Sequence, residues 1–288
     1  MKNVENNKTG ILEILENVNN LPSIPVVLTE VNKLLNNDGT SATELGKVIS
    51  KDQGLVTKIL VVANSPLYGI PRRVSTIDFA IVILGFNHIK NIVISLSMME
   101  AFKSIQGAKF NQKKFWQHSI LAALTAKRIA DDLGYYFSGE AFTAGLLHDL
   151  GIPIIYKFFN KEFLDITEKQ KNSGKSFLDV EKDVLGVTHC EVGEFLINKW
   201  NLPPVLSDVV AHHHTPGVPS EFSEITAVVH LADYMLNILE VGDFDWDKGM
   251  ELDEFVFEKL NLSGKEYLDG LVANYEPMIK EQINNTFI

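Results

Sequence analysis

Hydrophobic side chains recur at helical spacing through the first half of the chain. Near the start, the residues that share one face of a predicted helix are Ile11, Leu12, Ile14, Leu15 and Val18. Two later helix starts carry capping pairs three residues apart, Ser41 with Glu44 and Ser50 with Gln53. No stretch of this half alternates apolar and polar residues with the period of two that a strand requires. The pattern therefore predicts helices throughout.

The helical spacing continues in the second half. Helices are predicted over residues 115–132, 138–150, 205–213 and 225–239, with two more in the tail that follows residue 243. Thr188 and Glu191 have capping-box spacing, which places His189 at the first position of another helix. We therefore predict an all-α protein. Its expected parts are an N-terminal helical subdomain (1–108), a second helical subdomain (109–240) and a C-terminal helical extension (241–288).

Composition narrows the classes of function. The net charge of −11 argues against direct nucleic-acid binding, which needs clustered Lys and Arg, and against an anionic membrane surface. A single cysteine, Cys190, excludes an intramolecular disulfide framework and is expected to pack rather than to act as a nucleophile. The first residues are polar and lack an apolar signal core, and polar residues interrupt the longest apolar runs. A reducing cytoplasm is the expected location.

Residue types that ligate metals stand in otherwise apolar helical sequence. They are His118, the adjacent His148 and Asp149, His189, the run His212–His214, and Asp233. Imidazole nitrogen and carboxylate oxygen suit borderline divalent cations, and buried helices hold such groups with little freedom. The residues alone leave another interpretation open. Each histidine could be a hydrogen-bonded core residue, the aspartates could cap helices or form ion pairs, and the run of three could be solvated.

Several gapped motifs, in order, resemble those of the HDOD domain. They are Leu21-Pro-x-Ile-Pro, Asp52, Leu55–Leu60, Ala63-Asn-Ser-Pro-Leu-Tyr-Gly69 and Ile77-x-x-Ala80-Ile81-x-x-Leu84-Gly85. HDOD proteins are all-helical relatives of the HD phosphohydrolases and the HD-GYP phosphodiesterases. They occur mostly in bacterial signalling and are usually regarded as regulatory. The resemblance therefore implies an all-helical bacterial signalling protein whose second subdomain has HD-type architecture.

The resemblance also implies a metal site. The positions for which the HD superfamily is named are matched by His118, His148, Asp149 and Asp233, and those of a second metal in HD-GYP enzymes by His189, His212 and His213. We take these seven as the expected metal ligands and leave out His214 as a solvated residue. The implied cofactor is a divalent metal, one or two ions, with iron favoured by analogy and manganese, zinc and nickel left open.

Three departures from the HD-GYP pattern count against catalysis. Lys114 stands where a metal-bridging glutamate is expected, and Ile152 where a lysine contacts the substrate phosphate. The double histidine is followed by His214-Thr-Pro-Gly-Val-Pro219 rather than by a Gly-Tyr-Pro signature. Losing a phosphate-binding cation weakens the stabilisation of transition-state charge. We therefore assign no catalytic residue and do not expect hydrolysis of cyclic di-GMP.

Two hypotheses for function follow. The first is a regulatory signalling module that acts through contacts with signalling proteins and keeps a metal for structure or sensing. The second is a metal-dependent phosphohydrolase acting on a nucleotide or phosphodiester, in which the metal activates water. A nucleotide ligand and a homodimer are left open by the sequence. Arg72 and Arg73, beside Tyr68, could hold a phosphate or a partner carboxylate, or simply form a solvated loop.

Overall fold

Helices make up nearly all of the regular secondary structure in the residues that the structure describes. This computed structural model describes residues 2–18, 21–22, 25–35, 39–103, 105, 107, 109–241, 246 and 250–285. The first half comprises α1 (Lys2–Asn17), α2 (Val26–Leu35), α3 (Ala42–Ile49), α4 (Gln53–Ala63), the 3-10 helix η1 (Pro66–Tyr68), α5 (Ile77–Leu84) and α6 (Phe86–Ala101). In the described part of the chain the β-structure is limited to an isolated bridge between Gly107 and Phe110. The predicted all-α fold is confirmed.

The described part of the second half contains ten helices. They are α7 (Gln112–Asp132), α8 (Ser138–Leu147), α9 (Gly151–Phe158), α10 (Asn160–Ser173), α11 (Phe177–Leu185), α12 (His189–Lys199), α13 (Pro204–His212), α14 (Ser223–Ile238), α15 (Phe255–Lys259) and α16 (Lys265–Asn285). The helix predicted over 138–150 is shorter than expected, because the chain turns after Leu147 and starts again at Gly151. Pro153 lies in the first turn of α9, where its missing N–H has no intrahelical partner to lose.

Helix starts largely follow the predicted capping residues. Ser41 with Glu44 and Thr188 with Glu191 both form complete capping boxes, so these two predictions are confirmed. The pair Ser50 and Gln53 was expected to start α4, but Asp52 is the N-cap and accepts a hydrogen bond from the Leu55 amide. A carboxylate accepts such a bond more strongly than a hydroxyl does, which favours the start at Asp52.

Helix α7 is the central element of the second half. Most of its length is buried, and it packs against α8 and α14. The approach to α8 is close at Gly145, where an added Cβ would lie 2.9 Å from the Cα of Ala123 and 3.1 Å from the carbonyl carbon of Ala122. Glycine at this position therefore brings the backbone that precedes His148 against the helix that carries His118.

Contacts between residues far apart in sequence join the two halves of the chain and the C-terminal helix. The Trp200 indole donates to the Pro22 carbonyl (3.1 Å), and the Tyr275 hydroxyl donates to Asp132 on α7 (2.6 Å).

Of the lead-in Leu21-Pro-x-Ile-Pro, Ser23 and Ile24 lie outside the described residues. The boundaries of the three expected parts stay a prediction. None of the described helices is long and apolar enough to cross a bilayer.

Candidate metal centre

Imidazole and carboxylate groups from five segments meet in the core of the second half. We call them the donor cluster: His118 of α7, His148 and Asp149 of the α8–α9 turn, His189 of α12, His213 and His214 after α13, and Asp233 of α14. Separation along the chain reaches 115 positions between His118 and Asp233 (233 − 118). The helices therefore carry these side chains to one place without any local sequence motif joining them.

Asp149 lies between two groups of histidines. Its Oδ2 is 3.2 Å from the Nε2 of His148 and 3.9 Å from that of His118. Its Oδ1 is 3.4 Å from the Nε2 of His189 and 3.5 Å from that of His213. Each carboxylate oxygen thus faces a different group, which is the arrangement of a carboxylate shared by two cation positions.

The first group is completed by Asp233. Its Oδ1 lies 3.1 Å from the Nε2 of His118 and 3.8 Å from the Nε2 of His148. The two Nε2 atoms are themselves 3.4 Å apart. Three donor atoms of these residues therefore surround one small volume, and the Oδ2 of Asp149 lies beside it.

The second group contains a histidine that the sequence interpretation omitted. The Nε2 of His214 lies 3.2 Å from the Nε2 of His189, and both group with His213 and Cys190. His212, which was among the seven expected ligands, is half-buried and belongs to none of the donor groups found among the described residues. The physical reason is the end of α13 at His212, after which the chain turns and directs the next two rings differently.

Cys190 stands beside the second group as an additional donor. Its Sγ is 3.5 Å from the Nε2 of His189, and the residue is 4% exposed. Burial raises the pKa of the thiol, but the imidazoles of His189 and His213 outweigh burial and lower that pKa to about 6. The expectation that Cys190 packs in the core agrees with its burial, while its position also offers sulfur to a cation.

Ring orientation in the cluster is set by hydrogen bonds of the opposite nitrogens. The Nδ1 of His148 donates to the Gly145 carbonyl (2.7 Å), and the Nδ1 of His213 donates to the Val210 carbonyl (2.9 Å). A ring that donates through Nδ1 keeps its lone pair on Nε2 when neutral, and Nε2 is the nitrogen that faces the carboxylates. Both rings are therefore oriented as metal ligands are.

Glu181 orients His189, and the sequence interpretation missed it. The carboxylate is fully buried and accepts from the Nδ1 (2.9 Å) and the backbone N–H (2.9 Å) of His189. It also accepts from the Trp246 indole (3.0 Å). A glutamate eight residues before a histidine, on another helix, has no spacing that predicts this contact.

His230 holds the turn that carries the last two histidines of the cluster. Its Nδ1 donates to the His213 carbonyl (2.6 Å), and its Nε2 accepts from the Asp253 amide (3.0 Å). Burial lowers the pKa of His230, so the ring stays neutral and can donate and accept at once. His230 lies three residues before Asp233 on α14, a spacing that places both side chains on the same face of the helix.

Electrostatics keep the central carboxylate ionised. Burial raises the pKa of the Asp149 carboxyl, but the imidazoles of His148, His213 and His189 outweigh burial and hold that pKa well below its usual range. For His214, burial and the neighbouring imidazoles lower the pKa well below its usual range.

For His189 and His213, burial lowers the pKa, but Cys190, with Glu181 for the first ring and Asp149 for the second, outweighs burial and raises that pKa well above its usual range. An ionised carboxylate and a neutral imidazole are the forms that coordinate a cation, so these two rings would release a proton when a cation binds.

Orphaned polar atoms show that the cluster fits a metal. All four carboxylate oxygens of Asp149 and Asp233, and the Nε2 of His213, lack a hydrogen-bond partner among the residues that the structure describes. The nearby ring nitrogens approach them without the geometry of a hydrogen bond. Leaving such groups buried and unpaired is costly, whereas a borderline divalent cation accepts both oxygen and nitrogen. The buried His/Asp cluster could therefore bind a metal.

The first group and Asp149 are buried, whereas the second group includes His214, which is half-buried. His118 is 3% exposed, and the side chains of Asp149 and Asp233 are fully buried. Ile152, at the place where the resemblance to HD-GYP enzymes leads one to expect a phosphate-binding lysine, is also fully buried. Lys114 lies in the first turn of α7, one turn before His118.

The family model for the HDOD domain matches residues 21–216. This protein belongs to the HDOD domain family. The match covers α2–α6 and most of the donor cluster but not α1, and the predicted resemblance is confirmed. Asp233, α15 and α16 lie beyond the matched residues.

Solved structures share this HDOD fold. An HDOD domain protein of unknown function from Geobacter sulfurreducens is 27% identical, with a TM-score of 0.78, and the match covers 98% of this chain and 97% of that one. A candidate phosphohydrolase from Shewanella amazonensis SB2B is 23% identical, with a TM-score of 0.73 over 94% and 97% of the two chains. A candidate signal transduction protein from Marinobacter aquaeolei VT8 is 20% identical, with a TM-score of 0.71 over 92% and 59%.

A curated relative is longer than this HDOD protein. An uncharacterised protein of Treponema pallidum (strain Nichols) is 26% identical over 231 residues, which are 79% of this chain. The aligned part is 44% of the relative, so the chain spans less than half of its length.

Proposed function

We propose that this HDOD protein is a bacterial signal-transduction regulator that binds a divalent metal at the donor cluster and lacks the full catalytic set of its hydrolytic relatives. One observation carries the metal-binding part. Asp149 presents one oxygen to His148 and the other to His189 and His213, and both oxygens are buried without hydrogen-bond partners among the described residues. The bound cation would supply the positive charge that these donors lack.

The burial of the two carboxylates supports regulation rather than turnover. Neither Asp149 nor Asp233 has exposed side-chain surface, and Ile152 contributes no charge to hold a phosphate. A substrate phosphate could reach these carboxylates only if the surrounding helices opened. A metal in such a site stabilises one arrangement of α7, α8, α12 and α14, and that arrangement is what partner proteins would contact.

The donor set favours a metal of borderline softness. Imidazole and carboxylate dominate, with one sulfur beside the second group. We favour iron, and manganese, zinc and nickel accept the same ligands. The two groups on either side of Asp149 have room for one or two ions of this class.

A metal-dependent phosphohydrolase is the second candidate. The observation that favours it is again the shared Asp149, because paired cations bridged by a carboxylate can activate water and neutralise a phosphoryl group. The two functions differ in one measurable property, which is turnover.

Elemental analysis of protein purified without chelators tests metal binding, and a panel of nucleotides and phosphodiesters tests turnover. We expect about one to two bound metal ions per chain and no hydrolysis. Asp149→Asn keeps the shape of the side chain and removes its charge, and should greatly reduce the metal content. Asp165→Asn, on the exposed face of α10, is the matched control and should leave metal content unchanged.

The metal assignment would be contradicted if the parent protein contained no metal after expression in medium supplemented with iron, manganese, zinc and nickel. Turnover that Asp149→Asn abolishes while the helical circular-dichroism spectrum is retained would establish the phosphohydrolase instead of the regulator.

A further inference from the structure

A cavity with polar and apolar lining lies outside the donor cluster, between the α4 region and the C-terminal helix. Its walls come from α4, from residues 64–75 that follow α4, and from Gln282 of α16. We call it the arginine cavity. Its volume of about 890 Å³ falls within the range of small-molecule pockets.

Two arginines are the charged residues among those that line this cavity. Arg72 and Arg73 are both exposed, and neither forms an ion pair or hydrogen bond within the described parts of the chain. No aspartate or glutamate is among the lining residues. In a chain of net charge −11, two guanidinium groups without carboxylate partners form a local anion-attracting surface.

A buried hydroxyl adds a donor to the same wall. Ser65 lines the cavity and is 4% exposed, and its Oγ has no hydrogen-bond partner among the described residues. A buried hydroxyl that makes no hydrogen bond is unfavourable, and rotation about Cα–Cβ can turn this hydroxyl toward an acceptor. A ligand oxygen in the cavity would provide that acceptor.

The segment that carries the two arginines is fixed before any ligand arrives. The Asn64 side-chain amide donates to the carbonyls of Leu60 (2.6 Å) and Val74 (2.7 Å), and its oxygen accepts from the Val74 amide (2.8 Å). These bonds close the loop from residue 64 to residue 74 on the end of α4. A preformed loop lowers the entropic cost of binding.

Part of the remaining wall is apolar. Leu60, Val61 and Ile70 are partly buried and line the cavity beside the arginines. An inorganic anion alone would leave this hydrocarbon surface in water. The lining therefore suits a ligand that has an anionic group at one end and a ring at the other.

We propose that the arginine cavity binds a phosphorylated small molecule of the nucleotide class, with its phosphate on Arg72, Arg73 and Ser65 and its ring against Val61 and Ile70. Arginine recognises phosphate with paired N–H donors, which gives this assignment its chemical basis. The site is separate from the donor cluster, and the proposal does not depend on metal binding.

The position of the cavity also connects its ligand to the rest of the protein. Helix α16 packs on α7, where Gln117 donates to the Ile283 carbonyl (3.4 Å). Gln117 precedes His118 in the sequence. A ligand held against Gln282 would therefore contact the helix that touches the neighbour of a donor-cluster residue.

Isothermal titration calorimetry with the full chain as purified tests the proposal. The probes are AMP, GMP and ATP, with adenosine and inorganic phosphate as the two partial ligands. We expect at least one nucleotide to bind, and each partial ligand to bind at least about tenfold more weakly. The double variant Arg72→Ala/Arg73→Ala should weaken nucleotide binding at least about tenfold, and Ser65→Ala should weaken it less.

The charge-matched control is Lys169→Ala/Lys175→Ala, which removes two exposed cations that do not line the cavity. It should bind nucleotide as the parent does. Binding that survives loss of both arginines, equal affinity for inorganic phosphate and AMP, or no binding by any nucleotide at millimolar concentration would each overturn the proposal.

Discussion

Asp149 is the residue at which the two halves of the donor cluster meet. Its two oxygens face different histidines, and its burial is complete. The imidazoles around it hold its pKa low enough to keep it ionised in spite of that burial. Both oxygens of this buried charge lack a hydrogen-bond partner among the described residues, so the chemistry of this one residue indicates a cation.

Glu181→Gln should weaken metal retention without unfolding the protein. The amide keeps the size of the side chain but loses the negative charge that holds the Nδ1 of His189. Removing such an outer partner typically reduces metal affinity about 10–100-fold. Competition with a fluorescent chelator measures the change, and Glu168→Gln on α10 is the exposed control. Equal retention by both variants would show that Glu181 does not support a ligand.

His214→Ala and His212→Ala should differ, although the residues are two positions apart. The His214 ring lies 3.2 Å from that of His189 and its loss should lower the metal content, whereas His212 is outside the donor groups and its loss should have little effect. Metal-to-protein ratios of the two variants provide the comparison. A larger loss in His212→Ala would favour the ligand set expected from the sequence.

Close helix approaches put the donors within reach of one another. At Gly145 the backbone of α8 touches that of α7, and at Gly151 an added Cβ would collide with the His189 carbonyl at the start of α12. Glycine at these two positions avoids the collisions that a side chain would cause and so permits the close approach of the backbones. Small residues at two crossings are therefore part of the site.

Gly145→Ala should destabilise the protein, because its Cβ would lie 2.9 Å from the backbone of Ala123. We expect a loss of about 1–3 kcal/mol in the free energy of unfolding. The matched control is Gly270→Ala in α16, where a Cβ meets no atom within 4 Å and the higher helix propensity of alanine should add about 0.5–1 kcal/mol. Urea unfolding of both variants measures the two changes in the free energy of unfolding, which should have opposite signs. Destabilisation by Gly270→Ala alone would contradict the close approach of α8 to α7 at Gly145.

At the scale of the whole molecule, the donor cluster joins helices from across the second half of the chain. α7, α12 and α14 each contribute a ligand, and α16 packs on α7 from the other side through Tyr275 and Asp132. A cation at the cluster would therefore act as a crosslink among helices that are distant in sequence. Loss of the cation should therefore lower the free energy of unfolding of the whole fold rather than change only the residues around the site.

Metal removal should lower the melting temperature. A ligand present at about 100 times its dissociation constant stabilises the native state by roughly 2.7 kcal/mol, which for a chain of 288 residues corresponds to about 4–5 °C. Differential scanning fluorimetry before and after chelation, with the metal content measured in each sample, tests this. Restoring the metal should restore the melting temperature, and an unchanged melting temperature in verified metal-free protein would refute the crosslinking role.

Local sequence determined the features that depend on near neighbours. The helical spacing predicted an all-α fold, and the capping boxes at Ser41 and Thr188 placed two helix starts correctly, because caps involve residues only three apart. The gapped motifs of the first half indicated the HDOD family, which the family model confirms. The types of metal-ligating residue were also evident, since histidines and aspartates rarely stand in buried helices without a partner.

Only the tertiary structure decided which of these side chains meet. Whether His212 or His214 turns inward depends on where α13 ends and on the bond from His230, and neither follows from spacing. The support of His189 by Glu181 and the cavity formed by α4 with α16 join segments far apart in the chain. Such contacts are fixed by helix packing, which depends on the whole core and not on any one stretch of sequence.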